Sequence, residues 1–269
     1  MSRVRIGGVS LVLWLGVSAC ATRLPPPAPP DALLQRPSTE AILHTFDRRW
    51  QAVQDLRALA RVSVTSAKGR YSTRETFLWR RPATLRLETL GVFGQPAMAL
   101  VADAEHAAIY YPQQGLVLQG AATAANLSRF IGLPLEVEDV VRVLAGQIEP
   151  GDKHPWARVH DQMDRDEHLL RFVGEGGTLV QDAWVDSDQM LPRRVIRYTN
   201  GGEPAVDVRY TDFRPLTEGF PFPFSLVIWL PRVETELHIQ FTAVDLNPGL
   251  APSLFRLTPP EGTRVVPLE

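Results

Sequence analysis

Apolar side chains in most of this chain recur at every second position, in short runs separated by turn residues, and that period excludes most folds before any motif is considered. Val62 and Val64 alternate with polar neighbours. Lys68-Gly69 reads as a turn into YSTRETFLWRR, and TLRLETL sets Leu85 and Leu87 on one face with Arg86 and Glu88 on the other. The pattern continues through PAMALVAD, HAAIYY and GLVLQG, with turn signals roughly every ten residues. Parallel neighbours need crossover connections of about a dozen residues or more, for which these gaps have no room. The runs therefore predict an antiparallel meander.

Two stretches break the period. STEAILHTFDRRWQAVQDL places Ile42, Leu43, Phe46, Trp50, Val53 and Leu56 three or four apart behind Ser38 or Thr39 as N-cap, which predicts an amphipathic helix. In the middle, NLSRFIGLPLEVEDVVRVLAGQ reads as a helix from Asn126 to Ile131, stopped by Gly132 and Pro134, and a second from Glu136 to Ala145, ended by Gly146. After His154-Pro155 strands resume. HLLRFVG and TLVQDAWVD flank a Gly-rich turn, RRVIRYTN and AVDVRYTDF flank Asn200-Gly201-Gly202, and PFSLVIWLP and ETELHIQFTAVDL close the series. The expectation is about eleven strands and three helices in one mainly β (α+β) domain over residues 38–269. So large a sheet curls, and the helices are its available cover; periodicity alone leaves open whether the interior is filled or a container.

The beginning of the chain has another composition. MSRVRIGGVSLVLWLGVSAC has Arg3 and Arg5, a short apolar run, and small residues before Cys20, the single cysteine among 269 residues. That is the layout of a secretory signal over residues 1–19, with an apolar run too short for a membrane span. Val17-Ser18-Ala19-Cys20 resembles the lipobox of bacterial lipoproteins, which implies a lipid on Cys20 and a durable attachment to a membrane. Ala21 in place of an aspartate favours the outer membrane. Residues 20–37 carry RLPPPAPPDALLQRP, a semi-rigid proline-rich tether.

No catalytic or phosphate-binding motif is present, no cofactor or metal is called for, and the six histidines are scattered. HDQMDRDEH, from His160 to His168, is the densest ionisable stretch, and its place between two strands predicts a solvated hairpin turn. With 28 basic against 30 acidic residues the chain lacks the electrostatic footprint of a nucleic-acid binder. These exclusions point away from an enzyme.

The informative segment is RRPATLRLETLGVFGQPAMALVAD, where a glycine-bracketed apolar tip, Gly91-Val92-Phe93-Gly94, sits between two strands although such tips normally face water. Together with the lipobox, the N-terminal helix, L-R-L-E-x-L-G-x-F-G-Q, and a central I-G-L-P-L insertion ending in L-A-G, it makes the chain resemble the LolB/LolA-like lipoprotein-localisation family, or a LolB-related group within it. The resemblance implies an unclosed antiparallel β-barrel of about eleven strands with a helical lid over an apolar cavity for acyl chains. It implies an outer-membrane lipoprotein, facing the periplasm, that receives lipoproteins or lipids from a LolA-like carrier and inserts them. The family's membrane-insertion leucine falls on Phe93, with Val92 beside it, although this chain has Phe for Leu and Val for Pro. Expected cavity linings are Val62, Val64, Phe77, Trp79, Leu85 and Leu87 from the first strands, with Met98, Leu100, Ile109, Trp229, Ile239 and Phe241 from later ones. Phe130, Ile131, Val140 and Leu144 are expected in the lid, and the protein is expected to be a monomer. The alternative from a different class is a structural envelope lipoprotein with the same fold and a filled interior.

Overall fold

The computed structural model describes residues 36–148, 158–164, 166–216 and 220–268. The signal segment, Cys20, the tether up to Gln35 and His154-Pro155 lie outside the described residues.

Fourteen strands form one sheet: β1 (Asp55–Ser66), β2 (Gly69–Arg80), β3 (Thr84–Leu90), β4 (Pro96–Ala102), β5 (His106–Tyr111), β6 (Leu116–Ala121), β7 (Arg158–Asp164), β8 (Glu167–Val173), β9 (Leu179–Asp186), β10 (Pro192–Tyr198), β11 (Pro204–Pro215), β12 (Pro221–Leu230), β13 (Thr235–Leu246) and β14 (Arg264–Pro267). Two meanders, β1 to β6 and β7 to β13, are joined where β1 pairs antiparallel with β13 in the register Val62↔Ile239 and Val64↔Leu237. The order ends in β14 on one side and β7 on the other, so the sheet is open. Among the described residues its one parallel pair is β14 against β6.

The expected antiparallel, unclosed sheet is therefore present, with fourteen strands where about eleven were expected. β7 continues through His160 to Asp164, and β8 begins at Glu167, so most of the charged stretch read as a turn is strand. Nor is that stretch fully solvated. His168 is buried, with Nδ1 2.9 Å from an Asp161 oxygen, and Asp161 also accepts from the Thr39 hydroxyl at 2.8 Å. β14 has only four residues, RVVP, too few to show a period; it is held by β6.

Helix α1 (Thr39–Ala52) begins where the Ser38 hydroxyl accepts from the Ala41 amide and ends four residues before Leu56, which is the first inward residue of β1 rather than part of the helix. Helices α2 (Ala124–Ile131) and α3 (Val137–Leu144) flank Gly132, whose φ of +76° gives α2 the left-handed C-cap that a β-carbon would strain. All three cover one face of the sheet. From α1, Ile42, Phe46 and Trp50 are buried, and Trp50 stacks on Trp79 of β2 with ring centroids 6.3 Å apart. Arg142 of α3 pairs with Glu138 at 2.8 Å and lies 4.3 Å from the Trp50 ring centroid, tying α3 to α1. The same inward face carries Phe222, Phe224, Leu226 and Ile228 of β12 and Val206, Val208 and Tyr210 of β11, all buried. These residues form the core of the β8–β13 half.

Candidate functional site

The concave face of β1 to β4 and β13 is not filled. An apolar cavity of about 360 Å³ lies between it and the α2–α3 pair, within the size range of small-molecule sites. Val62 and Val64 of β1, Phe77 of β2, Leu85 and Leu87 of β3, Met98 of β4, and Leu237 and Ile239 of β13 form the wall. Phe130, Ile131, Leu133, Val140 and Leu144 form the roof, and Leu230, Val233 and Thr235 close one side. The register explains the wall. Val62 stands opposite Ile239, Phe77 opposite Leu87, and Thr89 opposite Met98, so one side-chain row per strand turns inward across the ladder.

The cavity has a wet end and a dry end. Along β2 the inward residues run from Tyr71, 59% exposed, through half-buried Thr73, to Glu75, Phe77 and Trp79, which are buried. Val233, also exposed, lies at the Tyr71 end, because β13 begins at Thr235 and pairs Glu236 with Thr65 at the end of β1. The β3–β4 tip lies at this same end, since Leu90 is opposite Arg74 and the chain continues outward from there. The tip is closed by Gly91 N–H to the Gln95 carbonyl at 2.7 Å and Gly94 N–H to the Gly91 carbonyl at 2.9 Å. Val92 is 87% and Phe93 92% exposed. Two large apolar side chains thus stand in water beside the mouth of an apolar cavity.

Several residues read as linings take other places. Trp79, Leu100, Ile109 and Phe241 point inward but are core: Trp79 lies beneath Trp50, and Phe241 is clasped edge-on between Phe77 and Phe222 at 5.7 and 5.2 Å. Trp229 is on the opposite face, because the inward residues of β12 are the even-numbered ones, and it is 37% exposed.

Leu237 was not among the expected wall residues, and neither was Glu75. Glu75 shares its face with Phe77 and Trp79, and its side chain accepts from the Thr73 hydroxyl at 2.7 Å and from the Thr89 hydroxyl at 3.0 and 3.1 Å. The signal was legible in YSTRETFLW, where an acidic residue falls in phase with apolar ones. Burial pushes its carboxyl above the usual carboxylate range, the two hydroxyls opposing it. A carboxyl whose pKa is raised by folding contributes stability fully below its ordinary value of 4.5 and loses it as pH rises through the folded value. The melting temperature of the wild type relative to Glu75→Gln is therefore expected to fall as pH rises above 4.5, measured by circular dichroism.

A second, more polar cavity of about 420 Å³ lies between the start of α3 and β9–β11, crossed by the Asp139–Arg197 ion pair at 2.8 Å. Among the described residues no group of three or more His, Cys, Asp or Glu side chains is placed to hold a metal ion. No helix among them is long and apolar enough to cross a membrane.

Comparison with known proteins places this architecture. No family model matches the chain, and no curated protein matches it in sequence. Solved structures do. A domain described as outer-membrane lipoprotein-sorting from Vibrio parahaemolyticus superposes with a TM-score of 0.58 at 15% identity, covering 79% of this chain and 95% of that one. A LolA superfamily protein from Nitrosomonas europaea gives 0.56 at 11% identity, covering 81% and 97%. A DUF1329 family protein from Desulfovibrio piger gives 0.57 at 15% identity, covering 81% and 96%. The chain has the LolA-like fold: a large open sheet curled over an interior and lidded by helices.

Proposed function

We propose that this protein is a lipoprotein, attached to the outer membrane through lipid on Cys20 and facing the periplasm, that takes acyl chains of lipoproteins or lipids into its apolar cavity and passes them to the membrane. A LolA-like periplasmic carrier is the donor in this reading. Such transfer needs no nucleophile. It needs a dry concave surface, an opening, and an affinity modest enough for release.

The observation that carries the proposal is the placement of the exposed Val92-Phe93 tip at the mouth end of the cavity. A tip that enters the acyl boundary brings the mouth to the bilayer, and one buried phenylalanine is worth about 1.5–3 kcal/mol there, enough to orient the domain. The LolA-like fold of the solved neighbours supports the reading, one of them being described as lipoprotein-sorting.

Two measurements test it. The full-length chain carrying Cys20→Ser is expected to take up a neutral naphthylamine fluorophore saturably, and a diacylated lipopeptide is expected to displace it; absence of saturable uptake would refute the proposal. Phe93→Glu is expected to leave urea stability within about 0.5 kcal/mol of wild type, because the ring has almost no packing to lose. The same variant should slow delivery of the lipopeptide to phosphatidylethanolamine–phosphatidylglycerol vesicles by about tenfold, the worth of the lost ring. Unchanged delivery would remove the tip from the mechanism.

A further inference from the structure

Glu75 is a buried carboxyl in an apolar wall, and among the described residues the cavity lining contains no Lys, Arg or His to pair with it. Its oxygens are also only partly engaged. An ionised carboxylate offers about four acceptor positions, and the Thr73 and Thr89 hydroxyls bring one proton each. The Thr73 proton serves Oε1, while the Thr89 hydroxyl lies between both oxygens, so Oε2 has little more than half a donor. Leaving such a group underemployed in an apolar site is costly, and a ligand able to donate to it recovers that cost on binding.

The position of Glu75 along the cavity says which part of a ligand meets it. Beyond Glu75, away from the mouth, the wall is Phe77, Leu85 and Leu87; toward the mouth the polar Thr73 and Tyr71 of β2 stand opposite the apolar Val62 and Val64 of β1. Along β2, Glu75 therefore marks the step from polar Tyr71 and Thr73 to apolar Phe77, within a wall that is otherwise apolar. An amphiphile held in this cavity would lay its hydrocarbon against this apolar wall and present any donor it carries to the carboxyl.

Resting on the acyl-cavity reading above, we infer that Glu75, held by Thr73 and Thr89, is a head-group selector that favours amphiphiles with a hydrogen-bond-donating cationic head, an ammonium above all, and disfavours those with an anionic one. An ammonium supplies both the missing donors and the missing counter-charge. A neutral hydroxyl supplies a donor only, and a carboxylate head adds a like charge in a site with nothing to balance it. Tyr71 and Thr235, the other polar side chains at the mouth, bear no charge that would reverse this order.

The test uses the full-length chain and three single-chain amphiphiles of equal length, dodecylamine, dodecanol and dodecanoate, each below its micelle concentration and each displacing the neutral naphthylamine fluorophore. Wild type is expected to bind the amine about tenfold or more tighter than the carboxylate, with the alcohol between them. In Glu75→Gln, which keeps the shape and removes the charge, the order should collapse to within about threefold. Equal displacement of the fluorophore by all three in wild type would overturn the selector assignment while leaving the acyl cavity intact, as would a preference for the amine that Glu75→Gln retains. No uptake of the fluorophore at all would overturn the acyl-cavity reading itself, and the selector with it. The wild-type ranking stands as a test without any variant, so a failure of Glu75→Gln to fold would not shield the assignment.

Discussion

Trp79→Ala is expected to destabilise the domain by about 3–5 kcal/mol, the range for truncating a fully buried aromatic. The ring is 1% exposed, it stacks under Trp50 with planes inclined by 26°, and its strand neighbours in the register are Leu56 and Leu85, both buried. Trp50 in turn carries the Arg142 guanidinium on its ring. Removing the lowest member therefore loosens a column that joins β2, α1 and α3, and little nearby can collapse into the gap. The comparison is Met98→Ala, which removes a half-buried side chain that already borders open space and creates less new cavity. It should cost clearly less, because the penalty grows with the empty volume that truncation leaves. Urea unfolding decides the matter: the Trp79→Ala midpoint should fall much further than that of Met98→Ala with the slope unchanged in both. Equal costs would mean that Trp79 lines the ligand space rather than the core.

That contrast shows what the sequence could and could not carry. Alternation in RVSVTS, TLRLETL and ELHIQF is enough to put Val62, Val64, Leu85, Leu87 and Ile239 on one face, because side chains in a strand repeat with period two whatever lies above them. The same period puts Trp79, Leu100, Ile109 and Phe241 on that face too, and here it stops. Whether an inward residue meets a helix or a void depends on where α1, α2 and α3 land, which is a tertiary fact. Trp229 was decidable from the pattern, being out of phase with Phe222, Phe224, Leu226 and Ile228. Glu75 was decidable for the opposite reason, being in phase with Phe77. The tip was legible through its glycines, since Gly94 adopts a φ of +82° that closes the turn and leaves Phe93 outside. β7 was only partly legible, because charged residues on a strand look like a turn when the apolar half of the alternation is missing. β14 left no local trace; its place is set by β6.

The largest expected change in function comes from filling the cavity without touching the core. Leu87→Trp puts an indole from the middle of the wall, opposite Phe77, into space that holds no protein atoms. In a packed core an enlargement of this kind costs about 1–3 kcal/mol through strain. In an empty apolar site it gains contacts instead, and cavity-filling substitutions commonly add about 0.5–2 kcal/mol. The sign of the stability change therefore reports whether the space is real. Uptake of the neutral fluorophore should fall by about tenfold or more, equivalent to about 1.4 kcal/mol or more of lost binding, because the indole occupies the volume the guest requires. Met98→Trp approaches the same space from β4, with a flexible side chain as its starting point, and should act alike if Leu87→Trp distorts β3. The two effects must be seen together. A chain that is more stable and no longer binds is what a guest-holding cavity predicts, whereas a chain that is less stable and binds as before would show that the interior is already full and that the fold does not carry a guest there.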